Sequence, residues 1–328
     1  MNGHAESGSV NKPAVARPEV FRYTFRSGTL RRDERRVSGK GPERILEEKG
    51  REPCPPAPLT NEMETERRAP EKTVPPADAI LGDGGPLTAN SLKVVAMALM
   101  FVDHFAVVFL PPDSILRAAL RFFGRIVAPV ICFLIAEGYR HTSNRRRYVT
   151  RLLVFAAISH VPFNLAFGYP LLPSAGRIFP PTGVIWALAM GLVALGAVKS
   201  ERLHVALKPV AVLACCAAAY TANWNFVAVL WIVAFGVFGG NPGRRILAFH
   251  AVGIVCYLLP AFLRFALSED GLPPFYQTGI FLFVPFLAMY NGRLGKKSKA
   301  TAMFFYVFYP AHLLLLFVLA KITGAGLL

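Results

Sequence analysis

Long apolar segments alternate with short hydrophilic gaps from about residue 90 to residue 320. A helix needs roughly 20 residues, at about 1.5 Å each, to cross a hydrocarbon core of about 30 Å, and it satisfies its own backbone in lipid. The pattern predicts an all-α, polytopic integral membrane helix bundle of about nine transmembrane helices, with the fourth to sixth shortest. They cover residues 92–110, 119–138, 149–168, 182–198, 204–220, 224–240, 246–266, 275–291 and 302–320.

The segment before the first apolar run has a different composition. Residues 1–89 are rich in charged residues, Pro and Gly, and contain no apolar run long enough to build a core. Such a composition predicts a disordered tail ahead of a membrane domain at residues 90–328. Met63 is a second possible translation start, so part of residues 1–62 could be absent from the mature protein.

Basic residues concentrate in every second gap between the apolar segments. The chain carries a net charge of +16, and most of that excess falls in the hydrophobic part. Because Lys and Arg are retained on the cytoplasmic side, this alternation predicts a cytoplasmic N-terminus and a C-terminus on the far side. Nucleic-acid binding is not expected, since the charges do not line one solvated face. The basic gaps hold Arg140, Arg145, Arg146, Arg147, Arg151, Lys199, Arg202, Lys208, Arg244, Arg245, Arg293, Lys296, Lys297 and Lys299, and the others hold Arg117, Arg177 and Arg264.

Some ionisable residues lie inside predicted spanning helices, where a charge costs at least a few kcal/mol and generally marks a pathway or a reaction site. Counting from the helix ends places Asp103, Arg125, His160 and His312 about 15 to 20 Å deep, which predicts a shared polar cavity. Asp103 is expected to pair with Arg125, while His104 or His312 could transfer protons near neutral pH. The alternatives are a buried pair with a structural role and, for His160, a hydrogen bond between helices.

Further candidates lie where the second and third predicted helices meet the cytoplasmic side. Glu137 is expected to be an interfacial acid, and Arg151 is a candidate contact for substrate or cofactor. The run Arg145–Arg147 could contact the phosphates of a soluble cofactor, yet retention at the cytoplasmic face alone explains it. No metal site is expected, because four of the five cysteines lie in apolar segments without a CxxC spacing or a paired His.

Four stretches of the chain resemble the TraX-like membrane proteins, a family named for a conjugation protein that acetylates the N-terminus of pilin subunits. Their order and spacing, with the Asp-His pair inside the first helix, make the combination specific. The resemblance covers about residues 90–320, and the tail has no counterpart. The stretches are SLKVVAMALMFVDH from Ser91, GRIVAPVICFLIAEGYRHT from Gly124, RLLVFAAISHVPFNLAFG from Arg151 and FYPAHLLLLF from Phe308.

The resemblance implies an acyltransferase of the bacterial inner membrane that uses a cytoplasmic donor, with acetyl-CoA expected. The acceptor would be a protein such as pilin, a glycan or an envelope lipid. By the same resemblance His104 would be the general base, Asp103 would orient it or pair with Arg125, and His312 would be a second proton donor or acceptor lining the cavity.

Two other functions stay open, a secondary transporter and a non-catalytic membrane assembly protein. Transporters are often built from two related halves. Residues 92–168 show no second copy downstream, which favours the acyltransferase.

Overall fold

A computed structural model of the chain describes most of the predicted membrane domain. Nearly all of the predicted tail, including Met63, lies outside the described residues. Of the charges used to predict the topology, Arg177, Lys296 and Lys297 also lie outside them. The described residues are 85–173, 179–268, 273–295 and 299–324.

Helices make up the described part of the chain, which contains isolated β-bridges but no strand. The all-α prediction is therefore confirmed. Two segments depart from α-helical geometry: a π-helical turn at Gly253–Leu258 and a 3-10 helix at Pro274–Leu282. The α-helices are α1 Ala89–Phe109, α2 Ile115–Gly124, α3 Val127–His141, α4 Arg145–Ala166, α5 Val184–Val198, α6 Leu207–Ala218, α7 Asn225–Val237, α8 Pro242–Val252, α9 Leu259–Ser268, α10 Phe283–Ala288 and α11 Lys299–Thr323.

Each of the nine predicted helices corresponds to a helical segment, but their lengths differ. Within the described residues, five segments are long and apolar enough to cross a membrane, so the chain fits a multi-pass membrane protein. Four others are shorter, and the count of nine spans stays a prediction. The long segments are Ala89–Phe109, Ile115–His141, Arg145–Ala166, Pro242–Ser268 and Met303–Thr323, and the short ones are Val184–Val198, Leu207–Ala218, Asn225–Val237 and Pro274–Ala288.

The first helix is fixed at its start by a cap and by the chain that follows α10. The side chain of Thr88 accepts a hydrogen bond from the backbone N–H of Ser91, which satisfies one of the donors that a helix start leaves unpaired. Leu87 exchanges backbone hydrogen bonds with Met289 and Asn291. The residues just before 90 therefore pack with the membrane domain.

Two of the short helices, α5 and α7, form the centre of the bundle and are largely buried. Small residues let them approach closely. A methyl group at Gly191 would lie 2.5 Å from Cδ1 of Ile232, and one at Gly236 would meet the Leu195 side chain. Close contact through small residues is a common way for helices to associate in membranes.

Three predicted helices are interrupted. The second breaks after Gly124 into α2 and α3, and the seventh contains the π-helical turn, where the N–H of Leu259 bonds the carbonyl of Ile254. Pro260 follows that turn and has no N–H to continue an α-helical ladder. The eighth begins as a 3-10 helix. Apolar periodicity does not report such local changes of helix type, so the sequence predicted continuous helices here.

Candidate functional site

A cavity of about 1620 Å³ lies between α1, α2, α3, α4, α5 and α11. It is larger than the roughly 300 to 1,000 Å³ of typical small-molecule sites, so it has room for a long ligand or for two ligands. One face of α1 lines it, with residues three or four positions apart, and α3 contributes a similar stripe. The α1 stripe is Asn90, Lys93, Met97, Met100, His104 and Val107, and the α3 stripe is Val127, Ile131, Leu134, Gly138 and His141.

Charged side chains surround one end of this cavity, at the start of α1. We call this end the basic mouth and define it by Lys93, Arg151 and Arg293. Arg151 and Arg293 are exposed, and Lys93 lies over the ring of Phe305. Fourteen residues of α1 separate Asn90 from His104, so the cavity runs about 20 Å along this helix.

Farther along α1 from the basic mouth, two histidines from distant parts of the sequence form a hydrogen-bonded pair. Nδ1 of His104 lies 2.8 Å from Nε2 of His312, and the two rings are nearly parallel. Nδ1 of His312 in turn lies 2.8 Å from the carbonyl oxygen of Phe308, one turn earlier in α11. Both histidines are buried. The predicted proximity of His104 and His312 is thus present in the structure.

The contacts of the pair determine where its protons lie. A carbonyl oxygen only accepts, so His312 Nδ1 must donate to Phe308. In a neutral ring Nε2 of His312 is then an acceptor, and Nδ1 of His104 donates to it. This leaves Nε2 of His104 with an unshared electron pair. His104 lines the cavity, so it is the residue of the pair that can take a proton from a ligand.

His312 occupies a different position from the one expected. Within the described part of the chain, the residues that line the cavity include Phe308 and Tyr309 of α11 but not His312. Its ring stacks on Phe308 and holds His104 by the hydrogen bond. His312 therefore acts on the cavity through His104.

Asp103 forms ion pairs with two arginines of the neighbouring segment, and it accepts a hydrogen bond from Arg125. Its Oδ1 lies 3.4 Å from Nη2 of Arg125 and 3.5 Å from Nε of Arg121. The pairing of Asp103 with Arg125 agrees with the prediction, whereas Arg121 was not among the predicted residues. Arg121 and Arg125 are four residues apart and so share one helix face, a signal that could have been used.

Aromatic side chains enclose the two guanidinium groups. Nη1 of Arg125 donates to the hydroxyl of Tyr257 at 3.3 Å, and its guanidinium lies over the rings of Trp224 and Tyr276. Arg121 lies over the same ring of Tyr276. Stacking of this kind suits the weakly hydrated guanidinium group. These aromatic partners could not be predicted from the sequence, because they belong to segments far away in the chain.

Irregular backbone positions Arg125 and its aromatic neighbours. Arg125 itself lies at the break between α2 and α3, Tyr257 is in the π-helical turn, and Tyr276 is in the 3-10 helix. Trp224 has a left-handed backbone with φ of 67°, which is uncommon outside glycine. Departures of this kind cluster at functional sites more often than elsewhere.

Gly124 allows α1 and α2 to approach at Asp103. A methyl group at this position would lie 2.5 Å from Cβ of Asp103 and 2.8 Å from its Oδ1. A residue with a side chain would therefore push the carboxylate away from the two arginines. Gly124 opens one of the stretches that carry the family resemblance.

Glu137 lies beside the basic mouth, to which Arg151 belongs. Glu137 follows Arg125 by twelve residues, which is about 18 Å along α3. Glu137 and Arg151 both line the cavity, as expected of binding residues. Glu137 is buried and accepts from Arg140 at 2.9 Å, so it is an acid paired with the basic cluster. Arg151 lies over the rings of Tyr148 and Tyr306.

Two other predicted groups lie away from the cavity. His160 contacts Asn164 on its own helix and the carbonyl of Leu171 in the following loop. Residue counting does not give the direction of a side chain around its helix, and among the described residues His160 is not part of the cavity lining. Within the run Arg145–Arg147, Arg145 packs on Tyr139 and the three side chains are exposed. Like His160, the run contributes no residue to the described lining.

The described residues contain no group of three or more His, Cys, Asp or Glu that could hold a metal ion. The groups brought together beside the long cavity are two histidines, a carboxylate and two guanidinium groups. Such a set can move a proton and bind an anion.

These features define a protein of many helices that fits a multi-pass membrane protein, with a long cavity that has charged side chains at both ends. The chain belongs to the TraX family, since residues 88–320 match the family described as TraX protein. The resemblance found in the sequence is thereby confirmed. A similar protein is the probable fimbrial assembly protein FimC, serogroup H1, of Dichelobacter nodosus, which is 31% identical over 231 residues, covering 70% of this chain and 94% of the relative. No solved structure matches the chain.

Proposed function

We propose that the protein is a membrane acyltransferase in which His104 is the general base. The observation that carries this proposal is the hydrogen-bonded chain from Phe308 through His312, which leaves Nε2 of His104 unprotonated at a cavity wall. General bases of this type commonly contribute 10²- to 10⁴-fold to a rate.

The step catalysed at His104 is the attack of an acceptor amine or hydroxyl on a thioester carbonyl. His104 takes the proton of the acceptor as the new C–N or C–O bond forms. The C–S bond then breaks, and His104 returns the proton to the departing thiolate. His312 stabilises the charged imidazole of His104 by accepting from its Nδ1.

The basic mouth supports acetyl-CoA as the donor. Lys93, Arg151 and Arg293 suit the phosphates of a CoA ester, and an apolar passage leads from them towards His104. Because the mouth lies at the start of α1, the proposed cytoplasmic N-terminus of the membrane domain gives it access to cytoplasmic acetyl-CoA. The protein would then lie in the inner membrane, with its C-terminus on the far side.

The acceptor is proposed to be a component of a pilus or of the cell envelope. The relative from Dichelobacter nodosus is named a probable fimbrial assembly protein, which favours a protein acceptor over a glycan or a lipid. The same name also favours the second candidate function, a role in pilus assembly without catalysis.

Reconstitution in liposomes distinguishes the two functions. Labelled acetyl-CoA is supplied on one side of the membrane at a time, with a peptide carrying a free amino terminus, a glycan or a lipid extract as the acceptor. The acyltransferase predicts labelled acceptor and CoA release only when the donor is on the side of the basic mouth. It also predicts a loss of at least about 100-fold in His104→Ala.

His250→Ala is the matched control for this experiment. His250 bonds the carbonyl of Ile246 and stacks on Phe281, and it does not line the cavity in the described structure. Its replacement should leave the transfer rate unchanged. Equal rates in His104→Ala and the wild type would refute the assigned base, and no transfer to any acceptor class would favour the assembly role.

A further inference from the structure

The charges around Asp103 do not balance. Arg121 and Arg125 both approach the same oxygen, Oδ1, of this one carboxylate. Among the described residues no second acid lies within ion-pair distance of either arginine. We call Arg121 and Arg125 the guanidinium pair. Together with Asp103, this pair carries one excess positive charge. A buried charge without a counter-charge is costly, and an anionic ligand would remove that cost.

The guanidinium pair also has unused hydrogen-bond donors. Arg125 is only 8% exposed, and its Nε has no hydrogen-bond partner among the described residues. The Nε of Arg121 also makes no hydrogen bond there, although it lies 3.5 Å from Oδ1 of Asp103 in the ion pair. Guanidinium groups donate in a planar fork that matches the oxygens of a carboxylate or a phosphate. Buried donors of this kind are satisfied when such an anion binds.

The surroundings leave the cavity as the direction from which an anion can approach. Tyr276 lies over both guanidinium groups and Trp224 over that of Arg125, so one ring covers part of Arg121 and two rings cover part of Arg125. Arg121 and Arg125 both line the cavity. Asp103 precedes His104 in α1, so a bound anion would lie beside the proposed base.

A donor held at the basic mouth does not supply this anion. Lys93 lies ten residues before Asp103 on α1, which is about 15 Å. If the phosphates of a CoA ester bind at the mouth, only the uncharged acyl end of the donor reaches the depth of the guanidinium pair. The second substrate must then bring the negative charge.

We infer that the guanidinium pair binds a carboxylate or phosphate of the acceptor and so holds the acceptor's nucleophile at His104. This inference rests on the proposed function for its assignment to an acceptor, but the anion site itself does not. The acceptor is accordingly a molecule in which an amine or hydroxyl lies close to an acidic group. Arg121 and Arg125 are then residues that determine specificity.

The test is anion binding by the purified full-length protein in detergent, at constant pH and ionic strength. Inorganic phosphate and acetate are titrated separately against chloride, and binding is followed as a saturable rise of the melting temperature. Arg121→Gln removes the excess charge and should weaken binding at least about tenfold. Asp103→Asn removes a negative charge, so the net positive charge of the cluster rises by one and anion binding should tighten by a similar factor. Arg121→Lys should retain part of the anion binding.

Arg202→Gln is the control, because Arg202 lies exposed in the loop between α5 and α6. This substitution should leave the midpoint of the anion titration unchanged. If the cluster had a purely structural role, Arg121→Gln and Asp103→Asn would both lower the melting temperature but leave the midpoint of the anion titration unchanged. That result would overturn the inference. A stronger effect of phosphate supports a phosphorylated acceptor, and a stronger effect of acetate supports a carboxylate.

The outcome can be separated from that of the proposed function. Saturable anion binding that the variants shift in opposite directions, in a protein that transfers no acetyl group, would leave the site standing and refute the enzyme. If instead the protein transfers acetyl groups and neither variant changes anion binding, the enzyme stands and the anion site is refuted.

Discussion

Individual residues of the site were predictable to the extent that the membrane makes polar groups costly. Asp103, His104, Arg125 and His312 stand out in apolar segments, and the structure brings them together in two pairs. His160 stands out for the same reason, yet it bonds within its own helix and the following loop. The cost of placing a polar group in the membrane identifies the residues that need a partner, but it does not identify that partner.

Gly124 provides a test of the site at the scale of one residue. In Gly124→Ala the new methyl group would overlap Asp103, whose carboxylate must then leave the two arginines. We expect a loss of about 1 to 3 kcal/mol of stability, as is typical of overpacking, and a reduced acetyl-transfer rate. Thermal melting in detergent and the liposome assay measure the two effects.

The matched control is Gly196→Ala, because a methyl group at Gly196 meets no atom within 4 Å. Alanine in a helix should be neutral or slightly stabilising there. If Gly124→Ala behaved like Gly196→Ala in both measurements, the close approach at Asp103 would have no functional importance.

At the scale of elements, hydropathy predicted where helices occur but not where they change type. The break after Gly124, the π-helical turn and the 3-10 helix all fell inside segments predicted to be continuous. These are the places that present Arg125, Tyr257 and Tyr276 to one another. The local backbone is set by packing between distant segments, and a hydropathy pattern contains no information on that packing.

The 3-10 helix offers a test of whether this packing supports the site. A methyl group at Gly279 would collide with the backbone carbonyl of Phe122 in α2, and a backbone atom cannot rotate away. Gly279→Ala should therefore separate the 3-10 helix from α2 and cost stability towards the upper end of about 1 to 3 kcal/mol. It should also weaken anion binding at Arg121, since Tyr276 moves with the 3-10 helix.

Gly243→Ala serves as the comparison, because its nearest contact, to the Asn241 side chain at 3.7 Å, is ordinary. Melting temperature and phosphate titration are measured for both variants. Unchanged phosphate binding in a destabilised Gly279→Ala protein would show that the arginines are held independently of the 3-10 helix.

For the whole molecule, the family and the helical class followed from the sequence, and both are confirmed. The existence of one cavity joining the basic mouth to His104 did not, because six of the described helices, from separate parts of the chain, line it. Loop charges predict which side the mouth faces. The same charges therefore predict the side of the membrane from which acetyl-CoA must be supplied.

The most direct test of the account compares acetyl-transfer rates of His104→Ala, His312→Ala and the double variant in the same liposomes. If the two histidines act as one unit, with His312 working through His104, His312→Ala should slow transfer and the double variant should be no slower than His104→Ala alone. Rates that fall multiplicatively would show that His312 acts independently. Wild-type rates in either single variant would contradict the paired base on which the proposed function rests.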